Sequence, residues 1–241
     1  SRRMSSGWAI ARREYASFFR TPLGWVLIAL FLFLSGIFFT YRVLDPGQPA
    51  SMRGFFEAWW SLLAIIVPAV SMRLLSEELR TGTIEPLLTS PATELAIIAG
   101  KFAGAAAFLL TAIAPTLVYV AILHALARPD PGPIFAGFLG VTLLGMLYLA
   151  VGTLLSSLTS SQTLAFLATL FVLLAIEVGA SQLAVRLPEP WDRAAAACSP
   201  SLRLADFAKG VIDTGHVAFF ILVSAWFLVL ASVLLRLRRW R

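Results

Sequence analysis

The sequence predicts an all-α membrane protein with six transmembrane helices. Charged residues make up only 13% of the chain, about half the share usual in a soluble domain. Hydrophobic residues reach 59%, the mean hydropathy is +0.85, and the apolar residues gather into stretches of about 20, the length that crosses a bilayer as a helix. Such a chain cannot cover its own surface with polar groups, so lipid covers part of it. Six spans and their connections use up the 241 residues. The sequence therefore reads as a single transmembrane domain, 1–241, with no separate soluble catalytic unit.

The elements follow in order. In 8–20, Trp8, Ala11, Tyr15 and Phe18 recur at helical spacing while Arg13, Ser17 and Arg20 turn away. That is the pattern of an amphipathic helix in the plane of a membrane interface, over 7–20. Thr21-Pro22 breaks it. The first span is Leu23–Tyr41, with Trp25 and Tyr41 as aromatic anchors. It is too long for a signal-peptide core and lacks a small-residue cleavage site, so it reads as a retained anchor. After a polar turn at 45–49 the second span runs Phe56–Leu75, kinked at Pro68, into a charged stretch at 77–94. The third span, Leu95–Leu126, contains Pro115. The fourth, Ile134–Leu155, carries Gly137, Gly140, Gly145 and Gly152 as a small-residue face for close packing. A turn at 158–162 leads to the fifth span, Thr163–Leu183. Residues 187–213 are too polar to span and too long for a simple turn. The sixth span, Val217–Leu235, ends in Arg236, Arg238, Arg239 and Arg241.

Orientation follows from the bias of Lys and Arg toward cytoplasmic loops. With both termini inside, twelve of the 19 basic residues are cytoplasmic and seven (Arg42, Arg53, Arg128, Arg186, Arg193, Arg203, Lys209) lie outside. Discounting Arg2 and Arg3 leaves the same sign. The expected location is the cytoplasmic (inner) membrane, multi-pass, with both termini cytoplasmic.

The formal charge of +6 does not point to nucleic acid. The arginines concentrate at the chain ends beside apolar spans, where they orient the chain and attract anionic membrane lipid. The lone Cys198 allows no internal disulfide and no CxxC metal pattern, and reads as a small buried or interfacial filler. The sequence has no GxxxxGK[ST] loop, since Gly100-Lys101 lacks the earlier glycine and enters a span, and no HExxH. The chain thus has no nucleotide site, cofactor or metal site of its own. His124 and His216 read as interfacial or capping residues.

The most informative segment is 77–94. Glu77, Glu78, Arg80, Glu85 and Glu94 crowd a short connection between two spans. Thr81-Gly82 suits a helix end, because glycine tolerates the left-handed conformation that finishes many helices. Thr83 suits the cap of a short new helix with Glu85 in its first turn. Ser90-Pro91 repeats the device. A short surface helix held between two spans and a solvated loop with ordinary caps both fit these residues.

EELRTGTIEPLLTSP (77–91) resembles the segment after the second span of type-2 ABC transporter permeases, where E-x-x-x-G-T-x-E-x-L-L-T-x-P forms a coupling helix. GTLLSSLTSSQTLAF (152–166) is similar to the turn between the fourth and fifth spans in the gliding-motility-type branch, with its S-x-L-T-x-x-Q core. SLRLADFAKGVIDTGHVAFF (201–220) resembles the outer segment before the last span, except that Arg203-Leu204 stands where His-Phe is expected. The resemblance runs through the whole chain in order and spacing. It implies a six-helix permease with an N-terminal elbow helix, a cytoplasmic coupling helix and an outer re-entrant hairpin (Pro188–Gly210) that closes the exit. It further implies that Glu77, Glu78, Arg80, Gly82, Thr83 and Glu85 engage an ABC ATPase subunit, with Ser156, Thr159 and Gln162 in a smaller second contact. ATP and Mg would then sit on the partner, present in two copies, beside a second permease copy or related permease and an auxiliary extracytoplasmic subunit.

Glu177 lies about 21 Å of helix rise into the fifth span. A charge there costs about 2.5–3.5 kcal/mol on insertion scales, so the residue must face protein or water, or be protonated. It is a candidate pathway or gate residue, or else makes a structural hydrogen bond within the bundle, with His124, Arg186 or Gln182 as the candidate partners. An ion-coupled secondary transporter is the alternative function, but it needs matched repeats and several ionisable or broken-helix midplane sites. An intramembrane hydrolase needs a Ser or Asp dyad at matched depth. The coupling reading predicts that Glu85→Arg leaves insertion intact yet uncouples transport. Normal co-purification with the ATPase and normal stimulated hydrolysis in that variant would contradict it.

Overall fold

The structure, a computed structural model, describes residues 2–44, 51–83, 93–127, 129–186, 188 and 191–238. Among these every regular element is helical, with no strand: α1 (Arg2–Arg20), α2 (Pro22–Val43), α3 (Arg53–Ser71), α4 (Ser76–Thr81), α5 (Glu94–Ile113), a 3-10 turn (Ala114–Thr116), α6 (Leu117–Leu126), α7 (Pro131–Leu158), α8 (Gln162–Arg186), α9 (Trp191–Cys198), α10 (Pro200–Ala208) and α11 (Thr214–Arg238). Six stretches are long and apolar enough to cross a membrane: Pro22–Val43, Arg53–Thr81, Glu94–Leu126, Pro131–Leu158, Gln162–Leu183 and Thr214–Leu237.

Local chemistry sets the boundaries. Thr21 is extended and Pro22 opens α2, where its missing N–H costs nothing. Thr93 caps α5 by accepting from the Ala96 N–H at 3.3 Å. Asp130 caps α7 by accepting from Gly132 N–H at 3.0 Å, with Pro131 next. Pro115 interrupts the third span as the sequence suggests, converting one turn to 3-10 geometry. Pro68 sits inside α3, but the helix stops one turn later, at Ser71.

The helices α3 and α7 form the centre. They bury 61% and 67% of their apolar stretches, against 28%, 22% and 22% for α2, α8 and α11. Glycines let the central helices approach closely. A Cβ at Gly137 would lie 2.2 Å from the Phe56 ring, at Gly140 2.6 Å from Phe207 Cβ, and at Gly152 2.0 Å from Ser71 Oγ. Around them stand Phe31, Phe55, Phe56 and Trp59, all fully buried. Phe31–Trp59 and Phe39–Phe55 ring contacts set α2 antiparallel to α3.

On α1 the face packed against protein is Ala11, Glu14 and Phe18, and it includes an acid, while Trp8 is 73% exposed. Moreover α1 lies lengthwise along α5, in the same direction: a Cβ at Gly100 would strike Gly7 O (2.8 Å), and one at Gly104 would strike Ala11 O (2.6 Å). The hydroxyls of Ser35 on α2 and Tyr119 on α6 are 3.3 Å apart. Counting back at equal rise puts the start of α2 level with about residue 106. The stretch Glu94–Leu126 has 33 residues, about 50 Å of rise against a hydrocarbon core of about 30 Å. The stretch matches the expected third span, Leu95–Leu126, is longer than one core thickness, and has α1 beside its first turns.

Close packing at Gly152 predicts that Gly152→Ala lowers the thermal midpoint in detergent by the equivalent of about 1–3 kcal/mol. Gly179→Ala, with nothing within 4 Å of the added carbon, should leave it unchanged or raise it.

Candidate functional site

The charged end of the bundle, here called the base, is built on an interrupted helix. Between α3 and α4 the chain turns at 72–75, which leaves backbone groups without helical partners. Ser156 on α7 supplies them. Its hydroxyl accepts from Leu75 N–H and Ser76 N–H, both at 3.1 Å, and donates to Met72 O at 3.1 Å. The side chain is fully buried, so Ser156 pins the junction from inside rather than facing outward as a contact would. One turn on, α4 ends at Gly82 with φ +71, the left-handed stop that the sequence suggested.

A buried ion cluster fastens α4 to its neighbours. Lys101 Nζ on α5 lies 3.0 Å from Glu14 Oε2 on α1 and 2.9 Å from Glu78 Oε1 on α4. The Lys101 and Glu14 side chains are 3% and 9% exposed. Arg13 approaches Glu78 from the solvent side at 3.6 Å, so two cations balance two carboxylates. Beside the cluster, Arg73 reaches Glu77 at 3.5 Å, donates to Thr21 Oγ1 at 3.1 Å and lies over the Phe18 ring. The end of α11 closes the base: Leu75, Ile97, Ile98, Ala231 and Leu235 form one apolar cluster, and Arg236 approaches Glu94 at 3.9 Å.

Of the residues singled out from sequence, Glu77 and Glu78 are spent on these internal pairs. Arg80 is exposed and shares an open polar cleft of about 400 Å³ with Ser160, Ser161, Gln162 and Thr163. The two segments thought to meet a partner thus converge at the base. Thr159 accepts from Ser161 N–H at 3.1 Å, shaping that turn. Thr83 is exposed and its hydroxyl lies 2.9 Å from that of Thr81. Glu85, the new helix at Thr83 and the Ser90-Pro91 start lie outside the described residues.

At the far end of the bundle Glu177 is 2% exposed. It accepts from the Tyr148 hydroxyl and, at 3.2 Å, from Ser201 N–H at the start of α10. It makes none of the contacts expected with His124, Arg186 or Gln182. His124 is exposed and bonds Val120 O, His216 stands 3.9 Å from Asp206, and Cys198 is exposed, which removes the buried reading and not the interfacial one. Arg203 lies over Phe219, 4.0 Å from the ring centroid, and Leu204 is fully buried, so both residues of the departure from His-Phe pack well.

Sequence reasoning missed the link from Glu14 through Lys101 to Glu78, and the separate contacts of Arg73 with Glu77 and Thr21. A signal was present: Glu14 is three residues past Ala11 and four before Phe18, an acid on the apolar face of an arginine-rich helix.

A family profile described as an ABC-2 family transporter protein matches residues 8–195, from α1 through the fifth span into α9. No curated protein matches the chain.

Removing one member of a buried ionic set strands the others at a cost of about 3–5 kcal/mol, whereas replacing the whole set is far milder. Lys101→Met alone should therefore lower the thermal midpoint sharply. The triple variant Lys101→Met, Glu14→Gln, Glu78→Gln should recover most of the loss in the same melting assay.

Proposed function

The chain belongs to the ABC-2 transporter permease family, and on that footing we propose that it is the pathway-forming permease of an ATP-driven exporter. It works as a dimer, either with a second copy or with a related permease. Two copies of a separate ATPase subunit bind its base from the cytoplasm, and an auxiliary extracytoplasmic subunit is a further partner. Both termini are cytoplasmic and the membrane is the inner one. ATP and Mg are held by the ATPase, so this chain contributes the path and a lever.

The observation that carries the reading is the ion-locked base. In the sequence, residues 84–92 join the segment that ends α4 to the start of α5, and Lys101 ties both helices to α1. A push on that segment is delivered to three helices at once. The Ser156 pin then passes it to α7, the most buried span. Glu85 and the exposed Arg80, beside the turn at 160–163, are the contacts offered to the ATPase. The narrower likeness to the gliding-motility branch rests on 152–166 and 201–220.

Co-expressed with its ATPase, the chain should co-purify with it from detergent and raise its ATP hydrolysis in proteoliposomes. Arg80→Glu should reduce that stimulation at least severalfold while membrane insertion is unchanged. Failure of the parent chain to retain an ABC ATPase would overturn the reading.

A further inference from the structure

The hairpin formed by α9 and α10 sits at a depth where irregular backbone is costly. Glu177 is about 22 Å of rise beyond the start of α8, and Tyr148 about 15 Å before the end of α7. Both are well inside a hydrocarbon core of about 30 Å, and Ser201, at the start of α10, touches Glu177. The turn between α9 and α10 is thus carried down among the spans. There each unsatisfied backbone group costs several kcal/mol, so irregular chain persists only where protein supplies its partners.

Partners are supplied around this turn. Ser199 Oγ accepts from Leu202 N–H at 3.4 Å, and Arg203 donates from Nε and Nη2 to Ala197 O at 2.8 and 2.5 Å. Those contacts are internal to the hairpin and would travel with it. Glu177 is different: it belongs to α8, takes the Ser201 N–H, and is itself held by Tyr148 of α7. Its carboxylate also stands at the positive end of the α10 dipole. Beyond Glu177, α10 is attached through Leu204 and Phe207 on Gly140 of α7, and to α11 through Arg203 over the Phe219 ring and Asp206 at 3.9 Å from His216.

We propose that Glu177 and Tyr148 form a latch that seats the outer hairpin, and that release of Ser201 from Glu177 opens the exit of the pathway. Glu177 is a positioning residue in this account and touches no substrate. The role of the opening in transport rests on the permease reading above. The latch itself does not.

Cys198, at the end of α9 and the sole cysteine, reports the position of the turn. Cys198 is exposed on the protein surface but lies beside a turn at the depth of the hydrocarbon core, so in nanodiscs without nucleotide a membrane-impermeant methanethiosulfonate should label it slowly in the parent chain. Glu177→Ala should accelerate labelling by at least about tenfold, the population change expected from losing one charge-assisted buried hydrogen bond. Tyr148→Phe should accelerate it less. Glu177→Gln keeps an oxygen acceptor for Ser201 and should return most of the parent rate. Equal nucleotide-free rates in the parent and in Tyr148→Phe and Glu177→Ala proteins that remain monodisperse would overturn the latch. With the ATPase bound and vanadate-trapped, the parent should label fast and Glu177→Ala should lose its dependence on nucleotide. A slow parent rate in every nucleotide state, with fast labelling of Glu177→Ala, would retain the latch and reject its link to ATP-driven transport.

Discussion

One buried ammonium organises the base of this molecule. Lys101 is 2% exposed, and a lone charge so placed would cost several kcal/mol. Two carboxylates within 3.0 Å offset that cost, and each comes from a different helix. The pairing is consequently a statement about position: α1, α4 and α5 keep their charges neutralised only while they stay together. Gly100 and Gly104 flank Lys101 and bring the backbone of α1 against α5, which shortens the reach that Glu14 must cover. Ionic pairing and glycine packing therefore serve the same geometry.

The same logic of interruption and repair recurs at both ends of the bundle. At the base the helical ladder breaks after Ser71, and Ser156 of α7 takes up the freed groups. At the other end the α9–α10 turn is completed by Glu177 of α8. In each case a polar side chain on a long span satisfies the broken backbone of another element. Such sites are specific points of attachment in an otherwise apolar bundle, where packing alone discriminates weakly among helix positions. They are also the places where movement of a peripheral element is felt by a span.

Features encoded by local chemistry were legible in the sequence. Gly82 stops α4 in the left-handed conformation, Pro115 breaks the third span, and the α7 glycines mark close approach, because each depends on one residue and its neighbours. The third span, Leu95–Leu126, was legible as well, since its apolar run matches the stretch Glu94–Leu126, although its first turns also pack on α1 and α11. The ion cluster was not legible. Glu14 and Lys101 are 87 residues apart, and their pairing follows from helix register, which periodicity does not supply. Glu177 shows the same limit: its burial demanded a partner, but Tyr148 and Ser201 are 29 and 24 residues away. The sequence choices near it were the nearest polar residues at the outer surface, and depth along the helix selected others.

The central claim is that α1, α4 and the start of α5 move as one body. Spin labels at Arg12→Cys on α1 and Thr81→Cys on α4, in a Cys198→Ser background with the ATPase bound, measure it directly by pulsed electron resonance. The account predicts one narrow distance distribution that is the same without nucleotide and in the vanadate-trapped state. A distance that shifts or broadens between those states would contradict it.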